Sequence, residues 1–128
     1  MSFFDKIFGG KEEPKEQKSY WNRIESEDDL KVAIENSHAR KIAIFKHSTS
    51  CFISKTVLRN FEKDIESLEQ TDDIAELYFL DLLAYRSLSN KIAEDLGIRH
   101  ESPQLIVIEN GKAINDASHQ SISINQVS

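Results

Sequence analysis

Two short apolar runs separated by one amphipathic stretch constrain this chain more than any other feature. Lys41–Lys46 and Ile74–Leu82 are compact and mostly apolar, as expected of strands buried on both faces. Between them, Ile53, Val57, Phe61, Ile65 and Leu68 recur at helical spacing. They predict a helix from about Cys51 to Leu68. Strand, helix and strand of these lengths suit a right-handed βαβ unit with parallel strands.

The remaining signals complete an α/β pattern. Ser26 with Asp29 three residues on resembles a capping box. It opens a helix to about Ser37, with Leu30, Ala33 and Ile34 inward. A further helix spans about Arg86 to Leu96, with Leu88, Ile92 and Leu96 inward and Gly97 as its stop. Gln104–Glu109 reads as a third strand. Asn110-Gly111 is a strong hairpin signal, which implies an antiparallel partner at about Lys112–Ala117. The tail from Ser118 is ambiguous: Ile122 and Ile124 alternate as in a strand, and Ser118 or Ser121 suits a helix cap. A βαβ unit joined through a helix to a ββα unit describes a thioredoxin-like fold, with a central four-stranded mixed sheet flanked by helices.

The chain divides into residues 1–18 and a domain over 19–128. Phe3, Phe4, Ile7 and Phe8 share one face of a short helix, which packs on its own domain or meets a partner or membrane. Residues 9–18 read as a solvated tether. At 128 residues the chain suits one domain. Its net charge of -6, without a basic cluster, argues against nucleic acid as a partner. No stretch reaches the ~20 apolar residues of a membrane span. No secretory signal opens the sequence, and a single cysteine suits a reducing compartment. The expected location is cytoplasmic.

Cys51, the sole cysteine, stands at the strand-to-helix junction. A helix N-terminus favours a thiolate through its partial positive charge and free N–H groups. Lys46, His47 and Lys55 add cationic character, and Ser54, three residues on, is placed to aim its hydroxyl at the sulfur. The site reads Cys-x-x-Ser, with Ser54 where a dithiol enzyme has its second cysteine. A stabilised thiolate attacks little faster, because nucleophilicity falls as thiolate fraction rises, but it leaves more readily. One-cysteine chemistry needs that property, since an outside thiol must resolve the mixed disulfide. The bland alternative is a buried cysteine acting as a small hydrophobe.

Pro103, in His100-Glu101-Ser102-Pro103-Gln104, directly precedes the third strand. On the inferred fold it lies opposite the Cys51 turn, where thioredoxin-like proteins carry a cis-proline. Proline is also tolerated simply as the first residue of a strand. The four histidines follow no standard zinc spacing, so no metal site is expected. A Cys-x5-Arg phosphatase loop is excluded, because the sixth residue after Cys51 is Val57.

Phe45-Lys46-His47-Ser48-Thr49-Ser50-Cys51-Phe52-Ile53-Ser54 resembles the active-site segment of the YtxJ-type monothiol bacilliredoxins. The stretches Tyr78–Asn90, His100–Gln104 and Asn110-Gly111-Lys112 are similar to that family as well, from Trp21 to about Ile122 overall. The resemblance implies removal of bacillithiol from S-thiolated cytoplasmic proteins, with Cys51 as nucleophile and Ser54 in place of a resolving cysteine. It implies that Lys46, His47, Thr49, Phe52, Ser102, Pro103 and Arg86 line or support the approach of thiol and substrate. Bacillithiol would serve as co-substrate, with no tightly bound cofactor. One departure stands out: the family usually has proline directly after the cysteine, and this chain has Phe52. Two other classes fit the same residues. One is an iron–sulfur carrier resembling the one-cysteine glutaredoxins, and the other is a non-catalytic binding module.

Overall fold

The computed structural model describes residues 20–68 and 74–127. The N-terminal amphipathic segment and tether, 1–18, lie outside the described residues. Five strands and three helices follow one another as β1 (Trp21–Arg23), α1 (Glu27–Asn36), β2 (Ile42–His47), α2 (Phe52–Glu66), β3 (Glu76–Asp81), α3 (Arg86–Leu96), β4 (Gln104–Glu109) and β5 (Lys112–Ser118). Two 3-10 turns, His119–Ser121 and Ile124–Gln126, end the described residues, so the ambiguous tail forms short helical turns and no strand, with Ser118 at the N-cap of the first. Its second turn is capped by Ser123 and Gln126 reciprocally.

The sheet order is β1-β3-β2-β4-β5. β1 and β2 run parallel to β3, while β4 runs antiparallel to β2 and β5. This is the expected fold with one strand more than expected, five instead of four. The extra strand is β1. Its three residues are too short to show alternation, and only Trp21 among them is buried. Trp21 holds the strand in place by packing on Phe45, Phe61 and Phe79 and by an Nε1 hydrogen bond of 2.8 Å to Glu62.

Local chemistry explains the element ends. Ser26 caps α1 by accepting from Asp29 N at 3.0 Å, and Asp29 in turn accepts from Glu25 N at 2.9 Å. Gly97 ends α3 at φ 67°, a left-handed position that glycine occupies without a Cβ penalty. Asn110 and Gly111 both take positive φ, as the tight hairpin between β4 and β5 requires.

The pleat sorts β2 to two cores. Ala43 and Phe45 join Trp21, Val57, Phe61, Ile65, Phe79 and Leu105 on the α2 face. Ile42 and Ile44 join Ile24, Leu30, Leu80, Leu88, Ile92 and Ile106 on the α1/α3 face. The alternation continues past Phe45, so Lys46 and His47 are sent to opposite sides of the sheet. That single fact organises the site.

Candidate active site

Cys51 is the N-cap of α2, with extended backbone at φ -104°, ψ 121°. The preceding turn is held by Cys51 N donating to Ser48 O at 3.2 Å, and the helix starts with Lys55 N donating to Cys51 O at 3.0 Å. The thiol is free and partly exposed. Its side chain accepts no capping bond, and no carboxylate sits in the first turn. The positive end of the helix dipole therefore has no acidic competitor from its own helix beside the sulfur.

Ser54 directs its hydroxyl to the end of β2. It is fully buried. Its Oγ lies 2.8 Å from His47 Nδ1 and accepts from Ser48 N at 3.1 Å. The hydroxyl at the dithiol position thus ties the first turn of α2 to the end of β2. His47 is buried on the same face, its ring against Phe45 and Phe79. Its place is beneath the turn rather than along an open approach.

Lys46 also departs from the expected placement. It is fully buried on the α3 face. Its Nζ donates to Ser89 O at 3.1 Å and lies 3.4 Å from His100 Nδ1. Burial lowers its pKa from 10.5 to about 8. Ser89 Oγ is 3.3 Å from the same His100 nitrogen. Burial and the neighbouring Lys46 and Arg86 charges also push the His100 pKa down. Lys46 faces α3 because it continues the inward row of Ile42 and Ile44, a consequence of strand periodicity that composition around Cys51 hides. Ser89, its anchor, carries no sequence signal beyond its place on the helix.

The second wall comes from the loop before β4. Lys46 pairs with Gln104 across the β2–β4 ladder, so this loop sits at the carboxyl end of β2, where the Cys51 turn also begins. The Ser102–Pro103 bond is cis. Pro103 is buried, and its carbonyl accepts from His119 N at 3.0 Å. Ser102 Oγ is inaccessible to solvent and has no hydrogen-bond partner. Gln104 braces the loop, donating from Nε2 to Arg99 O at 2.9 Å. The turn after β3 closes the same end, with Leu82 N donating to His47 O at 3.0 Å.

Of the remaining candidates, Thr49 is exposed in the turn, and Arg86 is exposed at the first turn of α3. Phe52 occupies the first helical position of α2 and is 79% exposed, with Ile53 beside it at 41%. Among the described residues, no three His, Cys, Asp or Glu side chains gather as a metal site. The structure brings together Cys51, Thr49, Phe52, Ser102 and Pro103 at one end of the sheet. It places Ser54 and His47 beneath them and Lys46 behind. The combination of a partly exposed thiol and an uncompeted helix N-terminus at the carboxyl end of β2 is suited to thiol–disulfide exchange.

Comparison with known proteins agrees. Among solved structures, a thioredoxin-fold protein described as a candidate oxidoreductase matches at 28% identity and TM-score 0.66, over 80% of this chain and 86% of the other. A thioredoxin from Malassezia sympodialis matches at 24% identity and TM-score 0.61, over 82% and 88%. A thioredoxin from Nicotiana alata matches at 12% identity and TM-score 0.65, over 89% and 91%. The last two show the shared fold. The family model described as monothiol bacilliredoxin BrxC matches residues 22–127, which includes every site residue above, and this chain belongs to the monothiol bacilliredoxin family.

Proposed function

We propose that this protein is a monothiol thiol–disulfide oxidoreductase that removes bacillithiol from S-thiolated cytoplasmic proteins. The observation that carries the reading is the partly exposed Cys51 thiol at the N-cap of α2, at the same end of the sheet as the Ser102–Pro103 loop. The family match supports a thiol redox role.

The chemistry is an exchange in which electrons balance without an outside oxidant. The Cys51 thiolate attacks the bacillithiol sulfur of the mixed disulfide. The Cys51–bacillithiol bond forms, the old S–S bond breaks, and the protein thiolate leaves and takes a proton. A second bacillithiol, as thiolate, then attacks the adduct, releasing bacillithiol disulfide and the Cys51 thiolate. Ser54 cannot form an internal disulfide, so the adduct waits for an outside thiol. The helix N-terminus supports the leaving Cys51 sulfur in that step.

The test uses a model protein carrying one S-bacillithiolated cysteine, incubated with this protein and reduced bacillithiol. Loss of the modification is followed by intact mass. The expected result is catalytic removal, abolished by Cys51→Ser. Removal at the uncatalysed rate by the wild-type protein would overturn the reading.

A further inference from the structure

A groove of about 200 Å³ lies between α2 and the C-terminal tail, and Phe52, the residue after Cys51, lines it. Phe52, Ile53, Phe61 and Ile122 line it with apolar groups, and Thr56 and Asp64 line it as well. Phe52 to Asp64 is twelve helical steps, about 18 Å along α2. We infer that this groove receives a bulky apolar side chain lying one residue from the thiolated cysteine of the protein substrate. The inference rests on the reading of Cys51 as the attacking thiol.

Three observations choose this occupant. The groove is lined by Phe52 and Ile53, the two residues that follow Cys51 directly in the chain. A polypeptide whose cysteine sulfur reaches Cys51 brings its neighbouring residues within reach of Phe52 and Ile53. Second, those two side chains are among the few large hydrophobic groups left exposed in the described residues, at 79% and 41%. Helix starts tolerate many polar residues at these positions, so two exposed apolar groups flanking a nucleophile point to a contact made in use. Third, the size suits one large side chain and is too small for a helix. The chain's own approach to the domain lies along the other flank of α2. There Tyr20 Oη donates to Glu66 and Trp21 Nε1 to Glu62, and neither glutamate lines the groove. Burying one large apolar side chain in such a groove is worth about tenfold in rate or more.

The test compares three S-bacillithiolated hexapeptides. One has Phe directly before the cysteine, one has Phe directly after it, and one has Ser in both places. The wild-type protein should process one Phe peptide with kcat/KM about tenfold above the Ser peptide. Thr56→Trp, which fills the groove, should cut that advantage below about twofold. Phe52→Pro, which keeps a suitable first helical residue but removes the wall, should do the same. Equal rates for all three peptides would overturn the inference, whether this chain's own N-terminal segment or a second copy holds the groove. So would an advantage that survives both variants. Equal peptide rates alongside fast reaction with bacillithiol disulfide would leave the function standing and remove only the groove. A Cys51 that reacts with none of these disulfides would overturn both.

Discussion

Lys46 and His47 are neighbours in β2, yet they serve two unlike regions. On the α2 face, His47 meets Ser54, and Ser54 meets Ser48 N, a closed set of short polar contacts under the Cys51 turn. On the α3 face, Lys46 is equally enclosed, but its partners are a carbonyl and a histidine, with no carboxylate bonded to it among the described residues. One side of the sheet spends its polar groups fixing the nucleophile's turn. The other holds a cation whose charge is poorly accommodated. Buried polar groups strengthen a fold when fully satisfied and weaken it when they are not.

The largest effect should come from the nucleophile. Cys51→Ser should remove de-thiolation while the protein keeps its circular dichroism and its denaturation midpoint, because Cys51 Sγ makes no capping bond. Loss of fold in that variant would mean the thiol is a packing group.

Breaking the closed side comes next. Ser54→Ala leaves Ser48 N and His47 Nδ1 without the hydroxyl they share. Stranding buried polar groups costs about 1–3 kcal/mol, measurable by urea denaturation. Activity should fall too, since the Cys51 turn loses its tie to β2. An unchanged midpoint would contradict the anchoring role.

The open side should respond with the opposite sign. Lys46→Met removes a buried charge and keeps the side chain's length. The shift from 10.5 to about 8 sets an upper bound of about 3 kcal/mol. Solvent screening and the lost bond to Ser89 bring the expected gain to about 1 kcal/mol at pH 7. The pH dependence follows from the same shift. Between about 8 and 10.5, the unfolded chain holds a proton on Lys46 that the folded chain lacks. Stability therefore rises with pH across that window, and the gain from Lys46→Met should shrink over it. A destabilised Lys46→Met would show that the amine is well accommodated. His100, its pKa also lowered, adds a smaller rise of the same sign near and below pH 6.5.

Ser102→Ala should do least to the fold. Its Oγ has no partner to lose, so stability should hold or improve by a few tenths of a kcal/mol. kcat/KM should hold as well, since the hydroxyl is closed to solvent. A clear loss of stability would contradict its unpartnered state.

Much of this architecture was legible in the chain. The apolar runs placed β2, β3 and β4, the Ser26 and Gly97 signals bounded α1 and α3, and Asn110-Gly111 placed the hairpin. β1 escaped because three residues carry no period, and its place depends on Trp21 finding the aromatic cluster. Cys51 and Pro103 were legible as the two walls because each sits at an element boundary. Side-chain direction was less so. Ser54 at the third position after Cys51 suggested a hydroxyl near the sulfur, but its bonds to His47 and Ser48 at the end of β2 had no local signal. Lys46 looked like an approach residue until the strand alternation was carried one step past Phe45. The α2 groove needed Ile122 from the distant tail, a contact that no local pattern announces.

The central claim is that Cys51 takes a small thiol from a disulfide and gives it up to another thiol. Intact mass of the reduced protein after brief exposure to bacillithiol disulfide, with glutathione disulfide in parallel, tests it most directly. The expected result is one adduct on Cys51, formed faster with bacillithiol and reversed by added thiol. A Cys51 that stays unmodified by both disulfides would contradict it.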